Sequence, residues 1–394
     1  MDPPTNKGRL PLTNVSNTVN PRSSKSNVMC DDDELLQEQC RSMAPGNDEA
    51  FFMFRKDPQK ATAEAAAANN NTFDLLSDEM MLHVLKWLPK KTLISCSHVN
   101  RRFNRVCKDE TLWYRLDLSN RTLQFHGLVE VLNRGVIVLR LAQTSIISRV
   151  PINPLDIPEG RKVQYLDLSM CTISKSLLHA VLFNCEALVK LSLENVPLNK
   201  EICVAIAHNS GLETLNLTMC SGIEAGPLQY MAKLLPKLHS LNVSWTNLSV
   251  EAVRDLVRCL TPNIAHLNLA GCRSTMTDEA VAALTTRCQK LVALDLSDCT
   301  RLTEATIETL CKARKIEYLS LSRCYNIPVT AYLQLSAVKT LRFLDLFGLV
   351  SDQAIDTLRH SLRDVGINKY YHSSVARPTV GTKRTSIWGL RTRD

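Results

Sequence analysis

Leu291-Val292-Ala293-Leu294-Asp295-Leu296-Ser297-Asp298-Cys299 decides the architecture of this 394-residue chain. Its template is an apolar residue, two variable positions, Leu, one variable position, Leu, two variable positions, then Cys. The template returns as Val163-Leu166-Leu168-Cys171, Leu188-Leu191-Leu193-Val196, Leu212-Leu215-Leu217-Cys220 and Leu238-Leu241-Val243-Thr246. It continues as Ile264-Leu267-Leu269-Cys272, Ile316-Leu319-Leu321-Cys324 and Leu341-Leu344-Leu346-Leu349, with weaker copies at Trp113-Leu116-Leu118 and Val136-Leu139-Leu141. The second positions, from Leu116 to Leu344, follow one another at intervals of 23 to 27 residues.

About ten units of that period make an α/β fold, a leucine-rich-repeat solenoid over 114–365. In Leu-x-Leu both leucines face one side of a short strand and the residue between them faces the other. The second half of each unit has helical period, as at Ala280, Ala283 and Leu284. Strands stack about 4.8 Å apart and helices are ~10 Å wide, so strands line the inner face of a horseshoe.

Residues 72–113 read as a small all-α module. Ser77 suits an N-cap, with Asp78 and Glu79 in the first turn where the helix dipole favours negative charge. Met81, Val84, Leu85 and Leu88 keep helical spacing until Pro89, then Leu93, Cys96 and Val99, then Phe103 and Val106. Some forty residues bury little core alone, so the module should lean on a neighbour. Residues 1–71 read as a disordered regulatory tail ending in Ala65-Ala66-Ala67-Ala68-Asn69-Asn70-Asn71, with one apolar island at Phe51-Phe52-Met53-Phe54. That island suits a docking motif or a strap equally. Residues 366–394 form a C-terminal tail.

The composition excludes several classes. No apolar run approaches the ~20 residues of a membrane span, and the start of the chain has no signal-peptide core. Fourteen cysteines include no CxxC pair and no zinc spacing, which points to reduced thiols and no metal. There is no phosphate loop, GxSxG or HExxH, so no enzyme and no cofactor is expected. The net charge of +8 includes Arg377, Lys383, Arg384, Arg391 and Arg393 near the end, opposed by Asp394. Without a nucleic-acid motif, that basic tail favours a protein partner over nucleic acid.

Cys171, Cys220, Cys272, Cys299 and Cys324 share one repeat position, which argues for packing rather than reactivity. Asp167, Ser192, Asn216, Asn242, Asn268, Asp295, Ser320 and Asp345 form an inner-face ladder that reads as a solvated surface. Just after the strands stand Trp245, Arg273, Asp298, Arg323 and Tyr325, residue types enriched at binding hot spots where small polar residues would suffice. They read as a binding patch, against the alternative that Trp245 covers a helix. Arg9-x-x-Leu12 with Asn17 matches a destruction-box-like degron.

Leu76-Ser77-Asp78-Glu79, Leu88-Pro89, Leu93, Val99, Arg101-Arg102-Phe103 and Leu112-Trp113 resemble an F-box, with Ser77 where the family usually has proline. Leu319-Ser320-Leu321-Ser322-Arg323-Cys324-Tyr325, Ala376-Arg377-Pro378-Thr379-Val380-Gly381 and Ile387-Trp388-Gly389 extend the likeness from residue 73 onward. They resemble F-box/leucine-rich-repeat proteins of the S-phase-kinase-associated type. The resemblance implies a non-catalytic substrate receptor of an SCF-type ubiquitin ligase. It implies adaptor and cullin binding through Phe73, Leu76, Asp78, Glu79, Leu85, Leu88, Pro89 and Trp113. It also implies a tail folded back on the concave face, and a small cyclin-dependent-kinase accessory protein held with a phosphorylated substrate by Trp245, Arg273, Asp298, Arg323, Tyr325, Arg377 and Trp388. That substrate would be a cell-cycle regulator such as a cyclin-dependent-kinase inhibitor, marked for proteasomal degradation in nucleus and cytoplasm. The rival reading is a repeat scaffold or inhibitor outside ubiquitin transfer.

Overall fold

The computed structural model describes residues 72–148, 157, 162–379 and 385–392. The expectations for residues 1–71, including Phe51-Phe52-Met53-Phe54 and Arg9, Leu12 and Asn17, lie outside these residues, as do those for Lys383, Arg384, Arg393 and Asp394.

Three short helices open the described chain: α1 (Asp78–Leu85), α2 (Lys90–Ser97) and α3 (Arg101–Cys107). Ser77 caps α1, its hydroxyl accepting from the Met80 amide at 3.3 Å, and Asn100 caps α3 through Phe103 at 2.8 Å. Met81, Leu85, Leu93 and Val106 fill the small core between them. Trp113 closes it from below. Its indole N–H donates to the Cys107 carbonyl at 2.8 Å, and the Arg134 guanidinium lies over the ring at 4.4 Å. Arg134 follows α4 (Phe125–Asn133), the first helix of the repeats. One hydrophobic cluster therefore runs without a break from Met81 to Ile367. The module leans on the array, as its size demands.

The repeats build one parallel sheet of eleven strands. It begins at β1 (Arg115–Asp117) and β3 (Val138–Arg140); β2 (Thr122–Gln124) and β4 (Ser145–Ile147) pair separately. The series continues with β5 (Tyr165–Asp167), β6 (Lys190–Ser192), β7 (Thr214–Asn216), β8 (Ser240–Asn242), β9 (His266–Asn268), β10 (Ala293–Asp295), β11 (Tyr318–Ser320) and β12 (Phe343–Asp345). Registers stack leucine on leucine, Leu241 on Leu267 and Leu267 on Leu294. The eleventh strand, β13 (Gly366–Ile367), pairs Ile367 with Leu344 and corrects the repeat boundary placed at 365. Its signal was present as Leu362, Val365 and Ile367, but the leucines of the template are replaced.

Helices cover the other side of the sheet, and side-chain caps start several of them. Asn199 accepts from Ile202 at the start of α5 (Lys200–Ala207), and Ser249 from Ala252 at the start of α6 (Val250–Cys259). Between β11 and β12 a 3₁₀ helix, Val329–Ala337, replaces the α-helix directly after Pro328.

Each unit turns out of its strand through one residue in the left-handed region. Asn120, Gln143, Met170, Asn195, Met219, Trp245, Gly271, Asp298, Arg323 and Gly348 all have φ between 56° and 81°. The conformation aims the backbone N–H at the next unit: Met219 donates to Ser244 at 2.9 Å and Trp245 to Ala270 at 2.9 Å. Asn and Gly tolerate this region, while β-branched side chains do not. Asn195→Val is therefore expected to lower stability by about 1–2 kcal/mol in urea titration, although Asn195 is no core residue. An unchanged midpoint would mean the turn can relax.

Candidate functional site

Two surfaces carry the residue types that bind proteins. The first is the outside of the helical module. Leu75 (79%), Trp87 (66%) and Val99 (66%) are strongly exposed, and Met80, Val84 and Ile94 are about half exposed. Met80, Val84 and Trp87 recur at helical spacing and share one face. Val84 and Val99, which continue the helical spacing of Met81 and Leu93, belong to this outer surface.

Among the residues implied to hold an adaptor, Phe73 and Pro89 are exposed and Leu76 and Leu88 are half-buried. Leu85 and Trp113 are corrections: each is 4% exposed and packs in the chain's own core, so neither offers a surface. Asp78 serves internally too. Its carboxylate receives Arg102 at 2.9 Å and Arg105 at 2.6 Å, tying α1 to α3, and these hydrogen bonds lower its pKa. Arg102 also donates to the carbonyls of Phe73 and Leu76. Hydrogen bonding to Ser77 and to its own amide lowers the pKa of Glu79, which is exposed.

The second surface is the inner face. Its polar ladder is not solvated, contrary to the expectation: Asp167, Ser192, Asn216, Asn242, Asn268, Asp295 and Asp345 are all buried. Asn and Asp here turn back on their own chain. Asn216 accepts from the Thr218 amide at 3.2 Å, Asn242 from Ser244 at 3.0 Å and Asp295 from Ser297 at 3.0 Å. These bonds hold the turn that follows each strand, a role for which solvated polar residues are not needed.

The tail covers part of this ladder. Asn242 donates to the Val375 carbonyl at 3.0 Å, and Val375 and Ala376 pack on Ala293 and Tyr318. Arg377 reaches to 4.0 Å from Glu194. A short hairpin, β14 (Ser386–Ile387) with β15 (Leu390–Arg391), follows, with Ile387 fully buried. Trp388 donates to the Ala376 carbonyl at 3.3 Å and its ring lies 6.4 Å from that of Tyr165.

Burial pushes Asp345 up to about 6, although its carboxylate accepts from the Lys369 amide at 3.0 Å. The folded pKa lies above the unfolded one. The stability this group lends is therefore complete below about pH 4 and is lost as pH rises through about 6. Asp345→Asn keeps the acceptor and removes the buried charge, as Asn216, Asn242 and Asn268 do in their own units. It should match the parent at pH 4 and exceed it by roughly 1–2 kcal/mol at pH 7.5. Equal stability at both pH values in denaturant titration would refute the burial argument.

The rim after the strands holds two coupled pairs. Trp245 lies against Gly271, where an added Cβ would come within 2.7 Å of the indole, and Arg273 lies over the ring at 5.4 Å. Trp245 thus packs on a neighbouring turn, not on a helix. Arg323 grips Asp298 with Nε at 2.9 Å from both carboxylate oxygens, and its Nη2 adds a further bond. Tyr325 stands 60% exposed beside them. Trp245, Arg273, Asp298, Arg323 and Tyr325 are thus brought together. Trp388 is not: six strand steps, roughly 29 Å at ladder spacing, separate the unit of Tyr165 from that of Arg323.

The shared cysteines do not compete as a reactive site. Cys171, Cys220 and Cys324 donate to carbonyls at 2.9, 3.0 and 3.2 Å, and burial pushes each thiol up to about 12. Among the described residues no three metal-ligating side chains gather, and no helix is long and apolar enough to cross a membrane.

Against known proteins, residues 126–394 match the family model described as the SKP2 LRR domain, and residues 76–119 match the F-box-like model. Lysine-specific demethylase 2B of Mus musculus is 26% identical over 246 residues, covering 59% of this chain; the chain spans only 15% of that relative's length. Among solved structures, the yeast Rad7–Elc1 complex matches 84% of this chain and 96% of its own at 15% identity and a TM-score of 0.41. The leucine-rich-repeat protein LegL7 of Legionella pneumophila matches 64% and 89% at 13% identity and a TM-score of 0.40. With the repeat model spanning more than half the chain and the F-box-like segment directly before it, the protein belongs to the SKP2-type F-box/leucine-rich-repeat family.

Proposed function

We propose that this chain links a cullin adaptor, held on the outer face of α1 and α2, to a phosphorylated cell-cycle regulator held on the rim of the repeats. The substrate is a cyclin-dependent-kinase inhibitor, presented with a small kinase-associated accessory protein in nucleus and cytoplasm, and its ubiquitination leads to proteasomal degradation. The chain needs no catalytic residue of its own. Holding the substrate beside a charged conjugating enzyme raises the effective concentration of the acceptor lysine.

The observation that carries this reading is the contrast in burial within one small module. Met81, Leu85 and Leu93 seal its core, yet Leu75, Met80, Val84, Trp87, Ile94 and Val99 face outward together. A module this small that leaves so much apolar side chain in water is built to be covered.

Reconstitution tests it. The full chain with purified adaptor, cullin and conjugating enzyme should ubiquitinate a phosphorylated inhibitor and spare the unphosphorylated form. Arg323→Ala should weaken substrate or accessory-protein binding by about 2 kcal/mol in calorimetry, because it removes a hot-spot side chain and leaves Asp298 buried without its partner. Full ubiquitination by an Arg323→Ala, Trp245→Ala double variant would remove the rim from the mechanism.

A further inference from the structure

We propose that the left-handed ridge along the ends of the strands is a docking track for an extended acidic–apolar peptide segment of a protein partner. Met170 and Met219 on this track bind two apolar side chains of the segment, and Arg273 binds its carboxylate or phosphate. The proposal rests on the receptor reading only in requiring a protein partner, and it reaches three units beyond the rim pairs already described.

The first observation is backbone strain kept without structural need. All ten ridge positions have positive φ, and Asn120, Asn195, Gly271 and Gly348 show which residues hold that conformation cheaply. Met170 and Met219 have φ of 56° and 59° in the same turn, where an unbranched apolar side chain gains nothing from the backbone. Such strain persists where function retains the side chain.

The second observation is exposure. Met170 is 44% and Met219 49% exposed, so neither repays the strain by filling the core. Gln143 Nε2 approaches the Met170 sulfur at 3.6 Å, which steadies the thioether at the surface. Methionine is flexible and polarisable, suited to receiving apolar side chains of varied shape.

The third is charge. Along this ridge Arg323 is neutralised by Asp298, and Arg377 from the tail stands beside Glu194. Arg273 is exposed, stands over the Trp245 ring at 5.4 Å and has no carboxylate partner among the described residues. A guanidinium held on an aromatic platform keeps its fork of donors for a carboxylate or phosphate.

Spacing then defines the ligand. Met170 and Met219 are two units apart, about 10 Å, or three residues of a polyproline-II segment at ~3.1 Å each, whose three-residue turn brings positions i and i+3 to one side. Arg273 lies between one and two units beyond Met219. The segment therefore carries two apolar residues three positions apart and an acidic or phosphorylated residue two or three positions further on.

A displayed library of random twelve-residue peptides, selected on the full chain, tests this. Met170→Asn and Met219→Asn install the residue that Asn120 and Asn195 already use, so these variants should melt at or above the parent temperature. Selected peptides should share the stated spacing. Their affinity should fall at least tenfold on Met219→Asn and at least tenfold on Arg273→Gln. No enrichment over the Met170→Asn, Met219→Asn double variant, peptides without an acid, or indifference to Arg273→Gln would each overturn the proposal. So would a dimer in sedimentation that Met219→Asn dissolves, since the track would then hold a second copy of the chain. If the track fails while Arg323→Ala still weakens substrate capture, the receptor reading stands alone.

Discussion

Trp87→Glu is expected to abolish adaptor binding, with a loss of about 3 kcal/mol or more, a hundredfold or greater in affinity, and an unchanged melting curve. Trp87 is 66% exposed just past the end of α1, with Lys86 5.6 Å above its ring, and it contributes nothing to the buried set of Met81 and Leu85. In a complex it would give up a large apolar surface to water exclusion. A glutamate there would have to be buried as a charge without a partner. Calorimetry with purified adaptor reads the affinity, and circular dichroism on the same sample reads the fold. Parent affinity in a folded variant would sink the assignment of this face.

The position matters more than the module. Trp113→Glu should also end binding, but by unfolding, because Trp113 joins Cys107, Arg134 and the first repeat. Deleting 72–113 would expose the same seam. Surface substitutions therefore separate adaptor docking from stability, and deletion does not.

Leu267→Ala should lower stability by about 3 kcal/mol and broaden unfolding into two steps. Leu267 is fully buried at the middle of the sheet, flanked in register by Leu241 and Leu294. Every strand touches only its two neighbours, so a cavity there weakens the coupling between the halves, not just one unit. The tail opposes that separation. Val375 and Ala376 reach Asn242 on one side of Leu267 and Ala293 on the other. Truncating the chain after Ile367 in the Leu267→Ala background should separate the two steps further in urea titration. A single sharp transition in both proteins would show that coupling along the array is stronger than nearest-neighbour packing allows.

Much of the molecule was legible from local pattern. The Leu-x-Leu spacing placed β1, β3 and β5 to β12 but not β2 or β4, and Ser77 marked the start of the first helix, which stops at Leu85 while Pro89 opens the second. The rim residues Trp245, Arg273, Asp298, Arg323 and Tyr325 stood out by type alone, and the structure gathers them. Two readings failed for one shared reason. Leu85 and Trp113 face the core, and the Asn and Asp ladder lies buried. Each depends on what another segment brings to that spot, which periodicity does not encode.

The amino-acid order alone determined the repeat, its period and the side of each strand that carries leucine, because these follow from backbone geometry within a few residues. It also determined which side chains are costly to keep, such as tryptophan, tyrosine and arginine after a strand. Only the tertiary structure decided what those side chains meet. Arg323 is paired with Asp298 and Arg273 is not, since the two contacts cross units 25 and 28 residues apart along the chain. At Asn242 the ladder is covered by a tail more than a hundred residues away, where the Val375 carbonyl accepts from the Asn242 side chain. Contacts of that range depend on how the stacked units align in space, and no window of sequence contains both partners.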